Sequence, residues 1–392
     1  MKRWFKSLRQ TAARRASRPG RQLRFESVEE RRLMTAAVGS APVDPIMAAA
    51  QIDAQDGSIS RSEMLGLFAL VEANGKVSAA ERHDLIAICD PASGFSMTAD
   101  VRNLASDVVG RNPANRHYQG HWLGNLRAGD SSAKLEKLVD KWFYGEDLPA
   151  TDKFSHYAPI SGSLFVNGPT YGDISQGASG DCYLMVSLAE LAVQDPVAIE
   201  DMFVDNGDGT FAVRFYDHGT ARYVTVNEEL PIDNGQAEYA SFNTGGGGNE
   251  LWVALAEKAY CQINQEGWLG HGHKNSYKAI NAGNPADTIA QITGDTTDFT
   301  PITAHSSGAM LGTIVSDFQS GKAISFATKN HGTAANIVHD HCYAMINYDS
   351  ATQEVTLFNP WGLNNGTPFP GLINLSWSGI VHSFSEWEVG DV

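Results

Sequence analysis

A cysteine, a histidine and a carboxamide that are distant in a chain but adjacent in space can run acyl transfer, and this sequence offers a candidate for each. Cys182 ends the polar stretch Asp173-Ile174-Ser175-Gln176-Gly177-Ala178-Ser179-Gly180-Asp181 and opens a run in which Leu184, Met185, Leu188, Leu191 and Ala192 share one side until Asp195-Pro196 stops it. The spacing predicts a helix with Cys182 in its first turn, where exposed backbone N–H groups and the helix dipole favour a thiolate. A cysteine is more often an inert buried thiol, so this one needs partners to act. Gln176, six residues upstream, can aim its amide with the Cys182 N–H at a developing oxyanion. Of the twelve histidines, His341 opens a strand-like run to Tyr348, which turns at Asp349-Ser350 and returns as Glu354–Phe358, delivering Asn359-Pro360-Trp361-Gly362. Such a hairpin sets Asn359 beside His341, where its oxygen is expected to accept from Nδ1–H and fix the tautomer facing the sulfur. Trp361 is expected to cover that contact, a task compatible with ordinary packing.

The elements that must hold these groups sit in a chain of 392 residues, enough for two or three packed units. With 42% hydrophobic and 19% charged residues, wholesale disorder is excluded. Nor does any apolar run approach the roughly 20 residues of a membrane-spanning helix, so no transmembrane segment is expected. The net charge of −16 is uneven: residues 1–32 hold eleven Lys or Arg against three Glu, a net +8, and the rest carries −24. The acidic body repels nucleic acid and suits cations, whereas the basic arm could touch phosphate or anionic lipid. Four cysteines, Cys89, Cys182, Cys261 and Cys342, are too sparse for a disulfide framework.

Three stretches follow: a basic, targeting-like or unstructured segment over 1–41, a helical region over 42–147, and mixed helix and strand over 148–392, an α+β pattern. In the second, Asp56-Gly57-Ser58-Ile59 with Glu63, and Asn74-Gly75-Lys76-Val77 with Glu81, look like late EF-hand loops. Their leading ligand positions fall on Ile52 and Leu70, which have no side-chain oxygen, so the turns are read as helix entries capped by Ser60 and Ser78. Leu135, Leu138, Val139 and Trp142 predict a packed helix over Lys134–Phe143. Further on, Asp205–Thr210 is read as the turn into the strand Phe211–Tyr216 rather than a calcium loop. His339 with His341, and His271 with His273, lack a third ligand at zinc spacing and are read as surface or cleft-lining imidazoles. The run Gly245–Gly248 is expected to form a mobile or merely connecting loop.

Three blocks, Gln176–Leu184, Glu250-Leu251-Trp252-Val253-Ala254-Leu255-Ala256-Glu257-Lys258-Ala259-Tyr260, and His341-x-Tyr343 with Asn359-Pro360-Trp361-Gly362, are similar in order and spacing to the protease core of the calpain family. The likeness covers about residues 142–390. It implies a papain-like core of two lobes with the active site between them, and a calcium-dependent cysteine endopeptidase acting on polypeptides. Cys182 would be nucleophile, His341 general base and acid, Asn359 its orienter, and Gln176 part of the oxyanion hole. It also implies one calcium ion held by the carbonyls of Val166 and Gly168 and the carboxylates of Asp173 and Glu250. A second family site is not matched, since Leu363 and Pro370-Gly371-Leu372 stand where acidic residues are usual. Tyr183 replaces the usual Trp after the nucleophile, and Cys342, in place of a smaller residue, is expected to serve packing. The chain ends at Val392, soon after this core, so the family's further calcium-binding and membrane-docking modules are not expected.

The rival readings are a transglutaminase-like acyltransferase, which would leave Gln176 and the Asn359-Pro360-Trp361 block unexplained, and a silent binding module, which would typically have lost one of Cys182, His341 and Asn359. Residues 42–147 could be an inhibitory prodomain. Phe25–Ala36 resembles an N-terminal segment of large exported or surface bacterial proteins, which implies export, with a cytoplasmic location as the alternative.

Overall fold

The computed structural model describes residues 45–242 and 248–392. The basic arm 1–41 and most of the glycine run 245–248 lie outside the described residues.

Five helices, α1 (Pro45–Asp53), α2 (Arg61–Glu72), α3 (Ala79–Cys89), α4 (Ala99–Val109) and α5 (Ser132–Tyr144), account for most of the first region, with the short hairpin β1 (His117–Tyr118) and β2 (His121–Trp122) between α4 and α5. The two turns that resemble EF-hand ends are helix entries. Ser60 and Glu63 form one reciprocal capping box and Ser78 and Glu81 another, which employs both glutamates. The predicted helix over Lys134–Phe143 is α5, one or two residues longer at each end, and it buries Leu135, Leu138, Val139, Trp142 and Phe143. Gly145, left-handed at φ 63°, ends it.

Next come β3 (His156–Pro159), α6 (Cys182–Gln194), α7 (Pro196–Glu200), β4 (Phe203–Asp205), β5 (Thr210–Asp217), β6 (Thr220–Asn227), β7 (Glu229–Asp233), β8 (Gln236–Ala237), α8 (Trp252–Ile263) and α9 (Pro285–Thr293). Asp205–Thr210 is the turn between β4 and β5, as its sequence predicts. Every residue of α8 is buried, including Glu257 and Lys258, so this helix runs through the middle of its lobe.

The last stretch contains β9 (Thr297–Pro301), α10 (Gly308–Gln319), β10 (Ala323–Thr328), β11 (Cys342–Asp349), β12 (Glu354–Phe358), β13 (Leu372–Ser376), α11 (Trp377–Ser383) and β14 (Phe384–Gly390). The strands form one antiparallel sheet in the order β13-β12-β11-β10-β14-β9. Its two faces differ as period-2 alternation requires. Ile324, Phe326, Tyr343, Met345, Val355 and Leu357 point into a core shared with α10 and α11. Their neighbours Ala323, Cys342 and Ala344 point the other way, into the larger core that holds α6. Small side chains on that face let the helix approach closely, which brings the start of α6 to the start of β11. The same larger core extends without a break from Ile46 through α5 to α6 and α8, so the helical region and the lobe carrying Cys182 share one interior. The architecture is α+β.

Candidate active site

The loop before α6 is held on several sides. Ala178 N donates to Glu238 O (2.9 Å), Ser241 N to Ser175 O (2.9 Å), and Gly180 N to Asn281 Oδ1 (2.9 Å). Gln176 N reaches across to Pro360 O at 2.8 Å, tying the cysteine loop to the segment that follows Asn359. At Gly177 the chain passes so near its neighbour that a Cβ would lie 2.2 Å from Tyr239 O, so a side chain there would push the loop away. Cys182 is then the first residue of α6. Asp181 precedes it at the N-cap position and makes no side-chain cap bond; its carbonyl accepts from Leu184 N (2.9 Å), and the Cys182 and Tyr183 amides have no side-chain cap beside the sulfur.

His341 is fixed from its backbone: its N–H donates to Thr328 Oγ1 (2.9 Å) and its carbonyl accepts from Thr328 N (2.8 Å). Ala344 pairs with Phe358 across the β11–β12 hairpin, so Asn359 follows one residue beyond the ladder, close to His341. The hydrogen bond joins His341 Nε2 to Asn359 Oδ1 at 3.0 Å. This corrects the expectation that Asn359 would face Nδ1. The hairpin places Asn359 at the far edge of the ring, and Nδ1 remains for the sulfur. Asn359 is fully buried and its Oδ1 also accepts from Trp361 N (3.1 Å). The Trp361 ring lies 5.2 Å from the His341 ring, and Tyr343 stands edge-on to it at 5.3 Å.

The Cys182 thiol is pulled down to about 4. The largest cause is a hydrogen bond with the Cys342 side chain; burial opposes it, and hydrogen bonding and charge from His341 and the Cys342 backbone add to it. The Cys342 thiol is correspondingly pushed up, chiefly by the same contact and by burial. Cys342 is therefore more than packing: it opens β11 directly against the nucleophile. Nothing in the sequence separates it from an ordinary core cysteine, because the contact exists only once the two lobes meet.

Gln176 is near the sulfur but turned inward. Its Nε2 donates to Ser179 O (2.8 Å) and Asp181 Oδ1 (3.2 Å), and its Oε1 is buried without a partner. Two buried pairs of acids were invisible in the sequence as pairs. Asp181 lies against Glu257 of α8, and Glu190 of α6 faces Glu388 of β14 with Ser325 nearby. The visible signal was a glutamate inside each apolar helix run.

Of the four predicted calcium ligands, Glu250 is buried and its Oε1 accepts from Val166 N at 2.7 Å. Asp173 Oδ2 accepts from Thr170 N (2.7 Å) and Trp252 Nε1 (3.3 Å). Burial raises the Glu250 carboxyl, the Val166 N–H opposes this, and the negative charge of Asp173 raises it further. Two carboxylates and two carbonyls make an all-oxygen set, the donor chemistry a hard ion such as calcium prefers. Gly168, left-handed at φ 84°, lies beside the Glu200 carboxylate. The remaining histidines lie elsewhere: His271 stacks on Tyr183, and His339 sits beside Asp340.

This arrangement can hold a thiolate against an imidazole whose other nitrogen is anchored. A family model described as calpain family cysteine protease matches residues 152–372. The chain is 27% identical over 267 residues to the calpain-1 catalytic subunit of Mus musculus, covering 62% of this chain and 33% of that protein. It is 28% identical over 218 residues to calpain clp-4 of Caenorhabditis elegans, covering 51% and 28%, and 27% identical over 258 residues to calpain-8 of Mus musculus, covering 61% and 33%. The chain thus spans about a third of the length of these curated relatives.

Proposed function

We propose, because the chain belongs to the calpain family of cysteine proteases, that it is a cysteine endopeptidase that hydrolyses peptide bonds through Cys182, His341 and Asn359. The Cys182 thiolate attacks the peptide carbonyl. The Cys182 backbone N–H and Gln176 bind the tetrahedral oxyanion, for which the Gln176 amide gives up its bond to Asp181. His341 protonates the leaving amine and then activates water to hydrolyse the thioester, while Asn359 keeps the ring turned to the sulfur. The Trp361 ring excludes water from the His341–Asn359 bond. The reading is supported above all by the contact of Cys182 with His341 and by the 3.0 Å bond that anchors the other ring nitrogen.

The carbonyls of Val166 and Gly168 with Asp173 and Glu250 would hold one calcium ion, which when bound would supply the positive charge that draws these segments together. Asp173 adjoins the loop that leads to Gln176, so this site would steady the nucleophile loop.

An unfolded protein substrate digested with the purified chain and followed by mass spectrometry tests the function. New peptide termini that disappear in Cys182→Ala are expected. Amine incorporation without cleavage would assign a transferase instead, and no reaction of either kind would assign a silent module.

A further inference from the structure

Buried carboxylates without a cation are costly, so each must find a proton or a donor. Asp181 is wholly buried and Glu257 is 1% exposed. Asp181 uses Oδ1 to accept from Gln176, and Glu257 uses Oε2 to accept from Ala240 N at 2.9 Å. Their other oxygens, Asp181 Oδ2 and Glu257 Oε1, are both buried and without a donor. Among the described residues, the titratable groups that feel the pair's charge are Cys182, Cys261 and the phenols of Tyr157, Tyr183, Tyr239, Tyr260 and Tyr277. None of these is a cation, and Lys258, next in sequence, turns away to Asn227 and the Glu229 carbonyl.

Resting on the endopeptidase reading, we propose that Asp181 and Glu257 share one proton between those two oxygens and act as positioning residues for Cys182 and Gln176. The proton does two things. It halves the negative charge next to the nucleophile, where a full carboxylate would oppose the thiolate. It also weakens the hold of Asp181 on Gln176. That bond, at 3.2 Å, is already the longer of the two from Nε2, the other being 2.8 Å to Ser179 O. One amide N–H can therefore pass from Asp181 to the oxyanion while the bond to Ser179 keeps the side chain in place. The missing cap bond of Asp181 fits the same role, since the side chain is directed inward to α8 instead of onto the helix it precedes.

The test is the pH dependence of Cys182 alkylation by iodoacetamide on the full chain, with Cys182→Ala as the blank. Glu257→Met fills the volume but has no proton to share, and is expected to move the alkylation midpoint up by roughly one to two pH units. Its kcat should fall while KM stays. Glu257→Gln keeps a donor toward Asp181 and should retain the parent midpoint. Asp181→Asn combined with Glu257→Met removes the uncovered charge and should bring the midpoint back down. If Met fails to fold, Glu257→Ala replaces it in both variants. Equal shifts in the Met and Gln variants, no shift in either, or a double variant that stays high would overturn the proposal. Alkylation needs no peptide cleavage, so a parent chain that alkylates normally but cuts nothing would sink the endopeptidase reading and leave the proton pair standing.

Discussion

Asn359 Oδ1 accepts from His341 Nε2 at 3.0 Å, and both residues are buried, so one hydrogen bond determines which ring nitrogen looks at Cys182. The carboxamide cannot titrate, and it holds this geometry at any pH at which the fold survives. Asn359→Ala is expected to lower kcat roughly 10²–10⁴-fold, the range a positioned acid–base group supplies. KM should change little, because Asn359 lies behind the ring rather than in the cleft. Steady-state kinetics on a peptide substrate checks both numbers. An unchanged kcat would mean that the hairpin alone orients the imidazole.

Cys342 is the first cause of the acidity of Cys182. Cys342→Ala removes the donor and should raise the midpoint of Cys182 alkylation by about one unit. Cys342→Ser keeps an O–H at the same place and should stay near the parent. If Ala and Ser behave alike, the backbone and His341 are sufficient to keep the sulfur ionised.

How the site divides between sequence and space is plain from these residues. Cys182, His341 and Asn359 were legible because each sits at the end of an element whose boundaries are local: a helix start, a strand start and a hairpin exit. The ring nitrogen facing Asn359 was not legible, because it depends on the side-chain direction at β11 and not on spacing. Cys342 and the acid pairs were hidden for a different reason. Their partners lie across the packing of α6 on the sheet, or on α8, and a one-dimensional pattern shows a buried glutamate only as an interruption. The fold was more accessible. Ser60 and Ser78, the face of α5 and the β11–β12 turn all follow short-range rules, whereas the continuous core joining α5 to α6 requires the assembled molecule.

The charge of Asp173 raises the Glu250 carboxyl, and calcium held by the two should stabilise the folded chain. At a calcium concentration 100 times the dissociation constant the gain is about 2.7 kcal/mol. Thermal unfolding with calcium and with chelator is expected to show a higher midpoint with calcium, and Asp173→Asn with Glu250→Gln should abolish the difference. A midpoint that ignores calcium in the parent chain would remove the ion from the proposed function.

Glu388 is raised from its ordinary 4.5 to about 7, by burial above all and by neighbouring acids, with Ser325 pulling the other way through a 2.6 Å hydrogen bond. Its folded value exceeds its unfolded one, so the unfolded chain releases this proton first as pH rises. The stability it contributes is full below about pH 4.5 and is lost as pH rises to about 7, amounting to roughly 3 kcal/mol over that window. Glu388→Gln cannot titrate and should flatten this part of the curve. Urea unfolding at several pH values reads the slope, and identical slopes in the two proteins would contradict the assignment.

The helical region shares its interior with the lobe that carries Cys182, and this sharing bears on whether residues 42–147 could be a detachable inhibitor. Trp142 is 2% exposed; its indole N–H donates to Asn115 Oδ1 at 2.6 Å and its carbonyl accepts from Thr225 Oγ1 of β6 at 2.6 Å. Arg61 of α2 reaches Asp208 on the β4–β5 turn at 2.9 Å, and Asn112 bonds Glu266 after α8 at 2.7 Å. Cutting the chain at residue 148 would bare this buried surface on the catalytic lobe. The fragment 148–392 is therefore expected to be less stable and less active than the full chain, the opposite of what releasing an inhibitor would give. Trp142→Ala, which leaves a cavity and Asn115 Oδ1 without its donor, should cost about 3–5 kcal/mol by urea unfolding. A soluble 148–392 fragment with higher turnover than the full chain would restore the inhibitory role, because activity gained on removal cannot come from a segment that only supports the fold.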